Sequence, residues 1–101
     1  MPMTILIQFI KIQTSETLND KTNDLVNKLG NRFDWIESIS VSFKEGKGNT
    51  DKNKVCEVEV SAPTPRIFVS VTDFGYEAAL KVALNDIERQ LKKRKEILKV
   101  K

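Results

Sequence analysis

The chain has 101 residues, of which 40% are hydrophobic and 31% are charged, and its formal net charge is +3. This length and composition predict one globular domain over residues 1–101, and they exclude both a disordered chain and a chain with two separate cores. With a single cysteine and no histidine, the chain can form neither an internal disulfide nor the usual zinc and iron sites, so we expect no metal and no cofactor.

The first segment, residues 1–12, is apolar but short, and it contains Gln8 and Lys11. No basic stretch precedes it, so it predicts neither a signal peptide nor a membrane span. A cytoplasmic protein without a membrane partner is therefore expected. Within residues 4–12 apolar side chains fall on both faces, which predicts a central β-strand.

A helix is predicted next, because Ser15 supplies an N-cap oxygen and the residues after it follow a helical pattern. The apolar positions recur at helical spacing, at Leu18, Leu25, Val26 and Leu29. Gly30 is predicted to end this helix as a left-handed C-terminal residue.

Three strands are predicted in the middle of the chain, over residues 36–44, 55–61 and 66–73, each with apolar residues on one face. Residues 45–53 contain two glycines and no apolar residue, which indicates a long hairpin loop. A tight turn with two prolines joins the second and third of these strands, so the three form a meander. Cys56 lies on an apolar face, which favours a buried inert thiol over a nucleophile.

A long helix is predicted from Tyr76 onward, because one apolar stripe continues at 3.6-residue spacing through Leu80, Leu84, Ile87, Leu91 and Leu98. The predicted fold class is α+β, a two-layer βαβββα arrangement. It has a four-stranded mixed sheet, a right-handed first crossover and both helices packed on one face.

Positive charge is concentrated at one end of the sequence. Residues 1–75 hold 9 Lys/Arg against 10 Asp/Glu, whereas residues 76–101 hold 8 against 4. On the last helix a basic ridge is predicted away from the leucines, formed by Lys81, Arg89, Lys92, Lys93 and Lys99. Such a ridge can be an ordinary solvated face, but the unbroken run of residues 92–95 favours a polyanionic partner. Nucleic acid is favoured over a membrane, because the leucines of this helix are needed in the core.

Three aromatic residues have two interpretations each. Trp35, Phe74 and Tyr76 can stack on bases or pack at the edge of the core, and packing is favoured for all three. No set of residues resembles a catalytic site, so we expect no enzymatic activity, no catalytic residue and no small-molecule substrate.

Several local strings resemble the ribosome hibernation promoting factor family, also called ribosome-associated inhibitor A or protein Y. The likeness covers nearly the whole chain. The matching strings are Ser15-Glu16-Thr17-Leu18, Lys28-Leu29, Phe33-Asp34, Ala78-Ala79-Leu80 and Ile87-Glu88-Arg89-Gln90-Leu91-Lys92-Lys93.

The resemblance implies a ribosome hibernation factor that inhibits translation during stress and stationary phase. Such a domain lies in the messenger channel of the small ribosomal subunit, overlaps the A and P sites, and competes with mRNA and tRNA. Its length implies the short form of the family, without a dimerising C-terminal domain.

The resemblance also implies which residues bind ribosomal RNA. The basic positions that match the family are Lys28, Arg89, Lys93 and Lys95, and Lys92 joins them on charge alone. Asn19, Leu25 and Asp86 depart from the family pattern, because family members often carry Arg or Lys there. The alternative function is a free-standing module that binds double-stranded RNA without specificity for ribosomes.

Overall fold

The computed structural model describes residues 3–47 and 51–99, with side chains described as far as residue 96. The predicted element order is confirmed. The elements are β1 (Thr4–Phe9), α1 (Glu16–Arg32), β2 (Ser38–Glu45), β3 (Lys54–Ser61), β4 (Ile67–Asp73) and α2 (Tyr76–Lys99).

The four strands form one mixed sheet in the order β1-β2-β3-β4. β1 pairs with β2 in parallel, from Thr4 opposite Ser38 to Phe9 opposite Phe43. The β2–β3 and β3–β4 pairs are antiparallel, so the predicted meander is confirmed.

Both helices pack on one face of this sheet, and the core lies between the two layers. The side chains of Leu80, Ile87 and Leu91 are completely buried, which confirms the predicted stripe of α2. The side chain of Leu98 lies outside the described residues. On the sheet side the core is built by alternate residues of every strand, among them Ile39, Val41, Phe43, Cys56, Val58, Val60 and Ile67.

The other face of the sheet is open and mostly polar, as predicted for strands with one wet face. Serines of β2 lie opposite Glu57 and Glu59 of β3. These carboxylates pair with Lys44 at 3.2 Å and Arg66 at 2.9 Å. Phe68 of β4 is an exposed apolar residue on this face.

The prediction that the first strand is central was wrong. β1 is an edge strand, and it ends at Phe9 rather than at residue 12. Its second row of apolar residues, Leu6 and Ile10, is 49% and 39% exposed. Apolar residues on both faces therefore do not identify a central strand here, because only Ile5, Ile7 and Phe9 pack against the core.

The beginning of α1 was predicted correctly. Ser15 is the N-cap, and its Oγ accepts a hydrogen bond from the backbone N–H of Leu18 at 3.2 Å. Thr22 is fully buried on this helix, and its hydroxyl donates to the carbonyl oxygen of Leu18 at 2.7 Å. The hydroxyls of Ser15 and Thr22 therefore both bond to the backbone of α1.

The prediction that Gly30 ends the helix was wrong. α1 continues to Arg32, and the N–H of Phe33 closes its last turn on the carbonyl of Leu29. A Cβ added at Gly30 would lie 2.7 Å from Cε of Met3. The glycine therefore makes room for a side chain from the N-terminal segment, and it does not supply a left-handed backbone.

Candidate nucleic-acid interface

α1 and α2 run in the same direction side by side. Lys21 of α1 pairs with Glu77 of α2 at 2.7 Å, and Arg32 pairs with Glu88. Residues 21 and 32 are separated by the same number of positions as residues 77 and 88. The C-terminal ends of both helices therefore lie at the same end of the molecule.

That shared end carries most of the cations of the two helices, and we call it the basic end. It consists of Lys28, Arg32, Arg89, Lys92, Lys93, Arg94 and Lys95. Carbonyl groups at a helix C-terminus carry partial negative charge, which stabilises nearby cations. Arg32 lies in the last turn of α1 and is stabilised in this way.

Three of these cations are exposed and form no hydrogen bond or ion pair with any residue that the structure describes. They are Arg89, Lys93 and Lys95. The other two predicted RNA-binding residues have surface partners. Lys28 pairs with Asp24 at 3.4 Å, and Lys92 pairs with Glu88 at 3.5 Å. All five predicted residues are exposed, but their charges are compensated to different extents.

The structure divides the predicted residues between two places. Arg89, Lys92, Lys93 and Lys95 lie on the C-terminal half of α2, whereas Lys28 lies on α1 across the groove between the helices. Lys81, which we predicted as part of the ridge, lies nearer the start of α2 and pairs with Glu77 at 3.8 Å. The side chain of Lys99 lies outside the described residues.

Two arginines of the basic end were not among the predicted binding residues. Arg32 lies in none of the strings that resemble the family, so the resemblance did not imply it. Its position four residues after Lys28, on the same helix face, is the signal that would have identified it. Arg94 falls near the buried stripe of α2, and its Nη1 donates to the carbonyl of Pro65 at 2.9 Å. Arg94 therefore anchors α2 to the β3–β4 turn.

Glu88 is the acidic residue that neutralises part of the basic end. Its Oε1 accepts a hydrogen bond from Arg32, and its Oε2 lies 3.5 Å from Nζ of Lys92. Glu96 is the acidic residue that directly follows the basic run in the sequence. Within the described chain Glu96 forms no ion pair, so Glu88 rather than Glu96 neutralises part of the basic end.

The aromatic residues gave a mixed result. Trp35 is half-buried and packs edge-on against Phe33, and Tyr76 packs edge-on against Phe43, so packing is confirmed for both. For Phe74 the prediction was wrong, because its side chain is 67% exposed with Nζ of Lys52 lying 5.9 Å from the ring centre. Phe74 lies at the end of the molecule opposite the basic end.

An open groove of about 460 Å³ separates α1 from α2. It begins next to the basic end and continues toward the middle of both helices. The groove is lined by Leu25, Lys28, Leu29, Arg32, Lys81, Leu84, Asn85 and Glu88.

The chemistry of the described residues gives no sign of a catalytic or metal centre. Cys56 is completely buried, and burial together with the negative charge of Glu57 raises the pKa of its thiol to about 12. A thiol with this pKa stays protonated at neutral pH and is a poor nucleophile. In the described ranges no group of three potential metal ligands lies together, and no helix is long and apolar enough to cross a membrane.

Comparisons with known proteins agree with this fold. A ribosomal subunit interface protein from Coxiella burnetii superposes with a TM-score of 0.80 and 19% identity, over 93% of this chain and 99% of its own. The N-terminal domain of Thermus thermophilus Protein Y superposes with a TM-score of 0.71 and 18% identity, over 92% of this chain and 98% of its own.

At the level of sequence, no curated protein matches the chain. Residues 5–99 do match the profile of a family described as sigma 54 modulation protein / S30EA ribosomal protein. The chain therefore belongs to the sigma 54 modulation protein / S30EA ribosomal protein family, which confirms the resemblance found in its sequence.

Proposed function

We propose that this protein is a ribosome hibernation factor that binds the small ribosomal subunit in the messenger channel, at the A and P sites. Bound there, it excludes mRNA and tRNA, so translation stops and idle ribosomes are preserved in the cytoplasm. Support comes from the family and from the names of its structural neighbours, a ribosomal subunit interface protein and Protein Y. The protein acts by occupying space, and no chemical step is required.

The observation that carries this proposal is the set of unpaired cations at the basic end. Arg89 and Lys93 lie one helical turn apart on α2, Lys95 follows two residues later, and none of the three has an acidic partner among the described residues. Like charges one turn apart repel one another, and phosphates of RNA relieve the repulsion while releasing condensed counterions. Lys28 and Lys92 can exchange their partners for phosphates at small cost, because exposed ion pairs contribute only about 0–1 kcal/mol.

The test is a charge-reversal variant with Glu in place of Arg89, Lys93 and Lys95. All three side chains are exposed, so each replacement should change the free energy of unfolding by only about 0.5 kcal/mol. Binding to purified small subunits should be lost at physiological salt. Each lost phosphate contact should also flatten the slope of log affinity against log salt by about 0.7 to 0.9.

A matched control places Glu at Lys11, Lys47 and Lys52. These lysines are exposed and lie at the opposite end of the molecule, so the variant has the same net charge as the test variant. The control should keep most of the affinity and should still inhibit translation in a cell extract. If both variants lose equal affinity, general electrostatic attraction is acting and the basic end is not a site.

A second candidate is a free-standing module for double-stranded RNA. The order α1-β2-β3-β4-α2, with both helices on one face of an antiparallel meander, also occurs in double-stranded RNA-binding domains. This candidate predicts comparable affinity for naked duplex RNA and for small subunits. The hibernation proposal predicts much weaker binding to the naked duplex at the same salt concentration.

A further inference from the structure

Two ion pairs join α1 to α2 along the groove. Arg32 and Glu88 pair within its lining, and Lys21 pairs with Glu77 beyond the lining residues, nearer the start of both helices. Few other contacts join the two helices, so the space between these bridges is not filled by side chains.

The floor of the groove is apolar. It is formed by Leu25, Leu29 and Leu84, of which Leu25 is only half-buried. Asn85 is exposed on the α2 wall and offers an amide that can both donate and accept hydrogen bonds. A ligand with a flat ring and polar edges fits this arrangement. The face of the ring can cover the leucines while its edge meets the amide of Asn85.

The rim of the groove carries an excess of positive charge. Lys28 stands on the α1 side and Lys81 on the α2 side, each held only by a long surface pair, of 3.4 and 3.8 Å. Among the lining residues Lys28, Arg32 and Lys81 are cations, against the single carboxylate of Glu88. A ligand that carries negative charge next to a flat ring is therefore favoured in the groove.

We propose that this groove holds one unpaired nucleotide of the bound RNA, with its base against the leucine floor and its flanking phosphates between Lys28 and Lys81. The inference rests on the proposed function, because the groove lies next to the basic end, to which the RNA is proposed to bind. The volume of about 460 Å³ lies within the range of ligand sites, roughly 300–1,000 Å³. Unstacked bases of single-stranded regions are what proteins read in RNA.

The direct test is ultraviolet cross-linking of the wild-type protein bound to purified small subunits, followed by mass spectrometry of tryptic peptides. Nucleotide adducts are expected on the peptides of residues 22–28 and 82–89, which contain Leu25 and Asn85. Adducts confined to the peptides after residue 89 would overturn the proposal. This measurement uses no variant and does not depend on how a variant folds.

A blocking variant gives an independent test. Asn85→Trp fills the groove from an exposed position and removes no cation, so affinity should fall about tenfold with an unchanged salt slope. Asn27→Trp is the matched control, because Asn27 is exposed on the opposite side of α1 and should bind like wild type. Replacing Lys28 and Lys81 with Met should weaken binding and also flatten the salt slope by about 1.4.

The outcomes separate this inference from the proposed function. If the wild type does not bind small subunits, the proposed function fails and the inference fails with it. If the wild type binds and Asn85→Trp, with an unchanged melting temperature, binds equally well, only the groove proposal is wrong. Binding of free uridine monophosphate in the groove, without groove adducts in the ribosome complex, would also overturn it and assign the groove to small molecules.

Discussion

Glu88→Gln should strengthen binding to the small subunit. The two oxygens of Glu88 pair with Arg32 and Lys92, whose side chains are 52% and 57% exposed. Both cations can therefore reach a phosphate once the carboxylate is removed. Glutamine has nearly the same size and keeps an oxygen that accepts the hydrogen bond from Arg32. The substitution therefore changes charge with little change in shape.

The size of the effect follows from counterion release. One additional phosphate, neutralised by Arg32, steepens the salt slope by about 0.7, which at 0.15 M salt corresponds to about fourfold in affinity; Lys92 already binds a phosphate in the proposed complex. The loss of an exposed ion pair costs roughly 0–1 kcal/mol of folding free energy. The variant should thus bind more tightly while melting at the same or a slightly lower temperature.

The assay is equilibrium binding to purified small subunits at three salt concentrations, with thermal melts in parallel. Glu96→Gln is the matched control, because it makes the same change on the same helix at an exposed residue that forms no ion pair in the described part of the chain. Its effect on affinity and salt slope should be smaller. Equal strengthening by both variants, or weaker binding by Glu88→Gln, would refute the reasoning.

Two further predictions concern the helical layer itself. Leu91→Ala should lower the free energy of unfolding by about 2–5 kcal/mol, because Leu91 is completely buried between α2 and the sheet, and an unchanged denaturant midpoint would contradict that position. A hydrogen bond from Lys21, and then its positive charge, lower the pKa of Glu77. The Lys21–Glu77 ion pair therefore stabilises the fold at pH values above the ordinary pKa of glutamate. This stabilisation is lost as the pH falls through the lowered pKa of Glu77. In Lys21→Met an NMR titration should show the pKa of Glu77 moving back up, and an unmoved value would show that this pair does not form.

Helices and strands whose apolar residues recur at a regular spacing were predictable from the sequence. The order of elements, the N-cap at Ser15 and the buried stripe of α2 were all predicted correctly, because each depends on residues near one another in the chain. The edge position of β1 was not predictable in this way. Whether β1 has a neighbour on both sides depends on the arrangement of the whole sheet. The apolar residues Leu6 and Ile10 wrongly indicated a central strand.

The remaining errors also arise from contacts between distant residues. Gly30 was predicted to end α1 because the residues near it in sequence do not show that it packs against the distant Met3. The pairing of Glu88 with Arg32 across the helices could not be derived from α2 alone, although its pairing with Lys92 follows ordinary helical spacing.

The two helices differ in how firmly they are held. α1 buries only Thr22, Val26 and Leu29, whereas α2 buries a continuous row of residues from Ala79 to Leu91. Segments with few buried apolar contacts open first in local unfolding, so amide hydrogens of α1 should exchange with solvent faster than those of α2. In the proposed complex with RNA, part of the binding free energy would then be spent on ordering α1 against the more stable α2.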